Sequence, residues 1–263
     1  EAASSNLTPV TLELGGQSPA IILKGADLEV TARRLIWGKG LNAGQTCLAP
    51  NHLLVEKSIK ELLIGQLKKA YLEFYGPNPI SSPDLAKIIN DHHYSRLINF
   101  LELSKDKKQI LFGGEFNRNE RIITPTLIEI DSANHPILDD ELFGPIMPIM
   151  PITNLEVAIK SINAKNPPLA IYLFGGTSQD QKLLLERTSS GGICFNDVIL
   201  HAGIPEMPFG GIGTSGMGRY HGYAGFLTFS NQRSILKRPF ILDFKLRYPP
   251  YKLSLSLLKN ILG

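Results

Sequence analysis

Short apolar runs alternate with helix-period segments of about ten residues along most of the chain, and this alternation most limits the folds open to it. Residues 10–14 read as a strand running straight into Gly15-Gly16. A helix is expected over 27–43, capped by Asp27, with Leu28, Leu35, Ile36 and Leu41 on its apolar face. Residues 52–56 read as a strand, 58–75 as a capped amphipathic helix, 76–79 as a turn and 84–103 as a further helix. Strands are then expected at 109–112, 122–130, 146–152, 169–174 and 192–196, with helices at 154–163 and 178–188. Strands separated by helices are joined by crossovers, so the expected fold is α/β with a largely parallel sheet flanked by helices. From Pro205 the chain turns glycine-rich, 226–236 reads as a last strand, and Tyr248-Pro249-Pro250-Tyr251 sets off a short tail.

A chain of 263 residues, 43% hydrophobic and 19% charged, can bury a sizeable core, which excludes a disordered tail or a coiled coil. No run approaches the roughly 18 to 20 apolar residues of a spanning helix, and the opening residues lack the pattern of a signal peptide. Two cysteines, Cys47 and Cys194, cannot make a disulfide scaffold and suit a reducing compartment, so a cytoplasmic location is expected. The net charge of +3 is uneven: residues 237–263 carry +5, leaving −2 on the remainder. A mildly acidic body with a basic tail is unlike a nucleic-acid binder, and no such partner is expected. The tail mixes its cations with Phe240, Ile241, Leu242 and the leucines from Leu253 onward. That mixture suits peripheral contact with anionic lipid, or an arm packed on the protein itself; the alternation at 253–257 specifies no helix.

Cys47 lies in Gly44-Gln45-Thr46-Cys47-Leu48-Ala49-Pro50, between a helix broken by Gly44 and a strand beginning near His52. A thiolate on such a loop attacks carbonyl carbon, which fits aldehyde or acyl chemistry; an inert buried cysteine is the bland alternative. The preceding helix gives no activation, because Cys47 lies past its C-terminal end. Glu13, before Leu14-Gly15-Gly16, reads as a carboxylate at the carboxyl end of a strand, where α/β sheets bind ligands and a general base can sit. Asp139 and Asp140 read as a solvated turn, and His92-His93 have no partner at zinc spacing, so no metal is expected. Gly211-Ile212-Gly213-Thr214-Ser215-Gly216 matches a dinucleotide fingerprint only by letter. It follows Pro208-Phe209-Gly210 rather than a strand, and no acidic residue stands about twenty positions on.

Taken together, Leu12-Glu13-Leu14-Gly15-Gly16-Gln17-Ser18-Pro19, Gly44-Gln45-Thr46-Cys47, Glu141-Leu142-Phe143-Gly144-Pro145 and Pro208-Phe209-Gly210-Gly211 resemble the aldehyde dehydrogenase superfamily. Thr188–Gly192, Asn196-Asp197-Val198 and Ser215–Gly222 are similar to its class 3 and fatty-aldehyde branch. The resemblance implies that Cys47 attacks the aldehyde, with its own N–H in the oxyanion hole, and passes through a thiohemiacetal to a thioester. Glu13 would activate the hydrolytic water, Glu141 would hold the nicotinamide-ribose hydroxyls of NAD or NADP, Phe143 would pack near the ring, and the Leu14-Gly15 backbone would face it. The implied substrate is a medium- or long-chain aliphatic or aromatic aldehyde, and the implied assembly a homodimer.

On this alignment residues 1–18 are the last strand of a cofactor domain, 19–212 the catalytic domain, 213–239 a return segment and oligomerisation strand, and 240–263 the tail. Most of the Rossmann-type cofactor domain lies upstream of Glu1 in such proteins, so the chain by itself is expected to be inactive. Cys194 reads as a strand residue, and Asn231 stands where relatives often have histidine. The rival readings are a CoA-acylating dehydrogenase, against which Glu13 speaks, a non-catalytic fragment of the fold, and a thiol hydrolase pairing Cys47 with His52.

Overall fold

The computed structural model describes all residues except 107, 242, 244, 246, 247, 252, 253 and 263, and omits the side chains of 105, 106, 257, 258, 261 and 262. In chain order its strands are β1 Leu12–Glu13, β2 Pro19–Ile22, β3 His52–Glu56, β4 Ile110–Phe112, β5 Phe116–Asn117, β6 Ile122–Ile123, β7 Thr126–Glu129, β8 Ile146–Ile152, β9 Ala170–Phe174, β10 Gly192–Phe195 and β11 Gly216–Met217. The α-helices are α1 Leu28–Gly40, α2 Lys60–Tyr75, α3 Asp91–Asp106, α4 Leu155–Asn163, α5 Ser178–Arg187, α6 Gly222–Thr228 and α7 Leu255–Leu262. The chain divides into two units, Glu1–Phe229 and Ser230–Gly263.

In the larger unit, seven of the described strands make one sheet in the order β10-β9-β2-β3-β8-β7-β4. Every pairing is parallel except β4 with β7. The largely parallel sheet expected from the sequence is therefore what forms. Its strands are apolar on both faces because helices cover both. Ala20, Ile22, Leu53, Val55, Tyr172 and Phe174 face the layer of α1 and α2, where Leu35, Ile36, Leu63 and Leu67 are buried. The alternate residues Ile21, Leu54, Ile171 and Leu173 face α3, α4 and α5 through Leu97, Leu101, Ile159 and Leu184.

Local signals set the helix starts. Asp27 caps α1 by accepting from Val30 N at 3.1 Å, Asn154 caps α4, and Thr177 with Asp180 forms a capping box on α5. Several expectations are corrected. The helix expected from Asp84 starts at Asp91, because the Asn90 side chain accepts from His93 N and makes the cap. Ser58 caps nothing; its hydroxyl turns to Glu56 while a 3-10 turn leads into α2. The helix expected over 27–43 stops at Gly40, so Leu41 is exposed rather than on the buried face. The run 122–130 splits at Pro125, which has no N–H for the ladder; β6 pairs with β5 in a separate ribbon while β7 joins the main sheet. No strand was foreseen at Pro19–Ile22, yet β2 sits beside the centre of the sheet.

The last strand expected over 226–236 does not form: α6 ends at Thr228, and the described residues from 229 to 236 take no strand conformation. A strand needs a neighbour for its backbone groups, and none of the described residues supplies one. In the smaller unit Tyr248 Oη donates to Asp243 at 3.1 Å, and α7 forms where the sequence specified no helix. Leu242 and Leu253 of the tail lie outside the described residues, as do the side chains of Leu257, Leu258, Ile261 and Leu262.

Leu54 is fully buried on the third of four contiguous β3 core positions. Leu54→Ala is expected to lower stability by about 2–5 kcal/mol through lost transfer energy and the cavity left behind. Urea unfolding of the 263-residue chain, wild type against variant, measures it.

Candidate active site

Three loops converge at the amino-terminal edge of the parallel sheet. The segment Leu14–Ser18 leads into β2, the segment from Leu41 to Asn51 leads into β3, and the segment Asp139–Pro145 leads into β8. Glu13 is therefore not at the carboxyl end of a strand of the main sheet, as the sequence pattern suggested. Its strand β1 pairs only with β11 (Glu13 opposite Gly216), and the Gly15-Gly16 turn then carries the chain into β2 from the amino side.

The loop that carries Cys47 is held in an unusual conformation. Asn42, Ala43 and Gly44 all have positive φ (51°, 53° and 70°), a costly run for the first two residues. Gln45 fixes it: Nε2 donates to the Asn42 and Lys87 carbonyls, both at 3.0 Å, and Oε1 accepts from Ile89 N at 2.9 Å. Downstream, Tyr172 Oη donates to the Leu48 carbonyl at 2.7 Å. A Cβ on Gly44 would stand 2.3 Å from the Gly144 carbonyl oxygen, so only glycine lets the Cys47 and Glu141 loops touch.

The Glu141 loop is pinned as firmly. Arg96 donates to the carbonyls of Glu141 and Leu142, and Asn51 Oδ1 accepts from Leu142 N at 2.9 Å. The Glu141 carboxylate folds over the Gly15-Gly16 turn; a Cβ on Gly15 would lie 2.0 Å from Oε2. Phe143 has φ 45° and keeps 37% of its surface exposed. A cleft of about 560 Å³ opens beside Gly15, Gly16 and Glu141 and runs past Gln17, His52 and Lys165.

The Cys47 thiol and the Glu13 carboxylate lie close enough for each to act on the other's ionisation. Burial, then the negative charges of Glu13 and Glu141, push the thiol up to about 11, although the N–H groups of Cys47 and Leu48 pull the other way by pointing at the sulfur. Desolvation also raises Glu13, against the pull of the Cys47 thiol, and raises Glu141 to about 7. At neutral pH Cys47 is therefore a protonated thiol beside a carboxylate.

Of the residues singled out in the sequence, the structure brings Cys47, Glu13, Glu141, Leu14 and Gly15 together, with Phe143 on the rim. Asp139 and Asp140 are exposed, and no metal-binding group of three or more ligands occurs among the described residues. Cys194 is a β10 residue in register with Tyr172. The 211–216 motif makes a 3-10 turn and β11 and opens no helix. His52 is buried, and burial with Lys165 and Lys39 nearby drives its imidazole down to about 3; it is neutral and faces lysines rather than acting as the partner of Cys47.

Sequence reasoning missed Lys39, Asn51, Arg96 and Tyr220. Tyr220 lies within the fields of both Glu13 and Cys47, and burial raises its hydroxyl further. Asn51 and Arg96 act on backbone groups, which leave no mark in a residue pattern. Lys39 had one: a cation between two glycines in the last turn of a helix.

A family model described as the aldehyde dehydrogenase family matches residues 1–235. The mouse (Mus musculus) protein named aldehyde dehydrogenase, dimeric NADP-preferring, is 45% identical over 251 residues, 95% of this chain and 54% of its own length. Aldehyde dehydrogenase family 3 member A2 of Pongo abelii is 45% identical over 252 residues, 95% of this chain and 51% of its own. The substrate-bound state of Staphylococcus aureus AldH superposes with a TM-score of 0.93 at 41% identity, covering 100% of this chain and 57% of that one. Betaine aldehyde dehydrogenase from Staphylococcus aureus in complex with NAD+ gives 0.76 at 25% identity, covering 86% of this chain and 46% of that one. The chain thus spans about half the length of the curated relatives it matches.

Removing the Glu13 charge takes away one of the groups that disfavour the thiolate. Glu13→Gln is expected to lower the pH midpoint of Cys47 alkylation from its value near 11. Iodoacetamide modification rates of the 263-residue chain between pH 7 and pH 11, read at Cys47 by peptide mass, measure it.

Proposed function

Because the chain belongs to the aldehyde dehydrogenase family, we propose that it is the nucleophile-bearing part of an enzyme that oxidises an aldehyde to a carboxylic acid with NAD or NADP. The observation that carries this reading is the Cys47 thiol beside the Glu13 carboxylate, with Glu141 closed over the adjoining Gly15-Gly16 turn. The activity is proposed for a polypeptide that joins this chain to a dinucleotide-binding half.

The residues suit the dinucleotide. A half-buried carboxylate on the lip of a cleft, seated against a glycine that removes the intervening Cβ, offers acceptors to the paired hydroxyls of a ribose; the exposed Phe143 ring offers a flat apolar face. When bound, the nicotinamide supplies the acceptor for a hydride. The names of the relatives point both ways on the cofactor: the mouse protein is named NADP-preferring, and the betaine aldehyde dehydrogenase complex holds NAD+.

Glu13 takes the proton of Cys47, the sulfur forms a bond to the aldehyde carbon, and the carbonyl π electrons move onto oxygen. The N–H groups of Cys47 and Leu48, which point at the sulfur, stand next to that oxyanion. Loss of hydride from the carbon of this thiohemiacetal leaves a thioester on Cys47. Glu13 releases that proton to solvent and then takes a proton from water as the water oxygen attacks the thioester carbon; collapse breaks the C–S bond, the acid leaves, and Glu13 returns its proton to the thiolate. A base beside the thioester is what hydrolysis needs and CoA transfer does not, so Glu13 favours the hydrolytic reaction over the acylating one.

We extend the proposal to substrate, assembly and location. The substrate class is an aliphatic or aromatic aldehyde, and the assembly a homodimer, a form that the name of the mouse relative states for that protein. The location is cytoplasmic with residues 240–263 docking peripherally on anionic lipid. Supporting the docking, Leu236, Phe240 and Ile241 are exposed beside Lys237 and Arg238, and no helix among the described residues is long and apolar enough to cross a membrane.

In the joined polypeptide, Cys47→Ala is expected to lower turnover by at least about 10⁴-fold while leaving dinucleotide binding in place. Glu13→Gln is expected to give a burst of about one equivalent of reduced nicotinamide and then turnover slowed about 10²- to 10⁴-fold. Stopped-flow absorbance of the reduced nicotinamide checks both; a Cys47→Ala variant that keeps a tenth of the rate would overturn the assignment. For the tail, deleting residues 240–263 is expected to abolish co-sedimentation with phosphatidylserine vesicles at low salt. Equal recovery of both forms in the supernatant at every salt would remove the docking role.

A further inference from the structure

Tyr172 stands in β9 with Ala20 of β2 and Cys194 of β10 in register on either side. Both neighbours are small, which leaves the ring room between them, and Tyr172 is fully buried. A buried phenol needs partners for its hydroxyl. This one has two: Oη donates to the Leu48 carbonyl at 2.7 Å and accepts from Ile199 N at 3.4 Å. Burial holds the phenol well above its usual range, so the donated proton stays on at any pH near neutrality.

Each partner belongs to a tight turn. Ala49 N donates to the Thr46 carbonyl at 2.9 Å, closing a turn with Cys47 and Leu48 at its centre. That bond leaves the Leu48 carbonyl to find another donor, in a residue only 3% exposed. The second turn is tighter still. Leu200 N donates to the Val198 carbonyl at 2.6 Å around Ile199, whose φ of 65° and ψ of −42° give a strained γ-turn, unusual for a β-branched residue. Such a turn persists only where its surroundings hold it, and Tyr172 Oη holds the Ile199 N–H.

The remainder of the Cys47 loop is fixed at its ends. Gln45 pins the entry through the Asn42 and Lys87 carbonyls and Ile89 N, and at the exit Asn51 N donates to the Ser18 carbonyl at 2.7 Å. Those bonds flank the turn, whereas the Tyr172 bond grips the turn itself. We propose that Tyr172 is a positioning residue for Cys47: one hydroxyl, carried on an inner strand of the sheet, clamps the turn 46–49 to the turn 198–200 and so fixes where the sulfur stands. That Cys47 is the nucleophile rests on the function proposed above; the clamp does not.

The test is iodoacetamide alkylation of the 263-residue chain between pH 7 and pH 10, read at Cys47 by peptide mass, in wild type, Tyr172→Phe and Tyr94→Phe. Tyr94 is buried on α3 and its hydroxyl has no partner among the described residues, so its loss controls for removal of a phenol oxygen. Freed from the clamp, the turn no longer keeps the N–H groups of Cys47 and Leu48 on the sulfur, while Glu13 and Glu141, which oppose the thiolate, are untouched. The Cys47 rate in Tyr172→Phe is expected to fall about ten-fold across this range, with Tyr94→Phe at the wild-type rate. A folded Tyr172→Phe chain whose Cys47 reacts as fast as wild type, or faster, overturns the proposal. Should that variant not fold, the wild-type chain labelled with ¹³Cζ tyrosine decides in a mixture of H₂O and D₂O. A split Tyr172 signal, from a slowly exchanging hydroxyl proton, supports the clamp, and a single averaged signal overturns it. In the joined polypeptide, Tyr172→Phe is expected to lower kcat about ten-fold and leave KM for the dinucleotide in place; an unchanged kcat overturns the positioning role. A wild-type joined protein without dehydrogenase activity would instead sink the enzymatic reading, and the alkylation rates then decide the clamp.

Discussion

The site depends on one backbone contact between two loops. Gly44, in a left-handed conformation that no side chain could share with the Gly144 carbonyl, lets the loop before β3 lie directly on the loop before β8. Those strands are hydrogen-bonded neighbours, Leu53 opposite Ile149 and Val55 opposite Pro151, so the sheet sets the separation at which the loops begin and the glycine contact sets where they meet. Cys47 follows three residues after Gly44, and Glu141 precedes Gly144 by three. Cys47 and Glu141 are thus placed by two neighbouring, largely buried strands rather than by the loops' own preferences.

Electrostatically the corner is crowded with carboxylates. Glu13 and Glu141 both oppose ionisation of Cys47, and each opposes the other's charge. Two cations answer them. Arg96 donates to the carbonyls of Glu141 and Leu142, and Lys39 is a buried lysine that feels the charge of Glu141. The arrangement leaves protons to be distributed among acids, thiol and amine over a narrow range of pH, which is the condition general acid–base chemistry needs near neutrality.

Much of this was legible in the sequence, and the remainder was hidden for identifiable reasons. The alternation of strands and helices gave the parallel sheet because apolar runs buried on both faces leave a strong pattern. Pro19–Ile22 escaped notice because it is only four residues long and opens on a proline, although a first strand position tolerates one. Glu13 was singled out by its neighbours but misplaced, since adjacency to an apolar run does not say which sheet the run joins; β1 pairs with β11 from the far end of the unit. Asn90 rather than Asp84 began α3 because both residues can cap and only tertiary packing chooses between them. Lys39, Arg96 and Asn51 could not be read as a group, being brought together from α1, α3 and β3's approach by folding alone.

The guarded state of Cys47 has a consequence for durability. With its thiol held near 11, only about one molecule in ten thousand carries a thiolate at neutral pH. Peroxides and disulfides consume the thiolate and spare the thiol. The same burial and negative charge that hold the proton on Cys47 therefore shelter the sulfur from oxidation. A nucleophile kept in the low-pKa state common among reactive cysteines would be faster to engage and sooner lost.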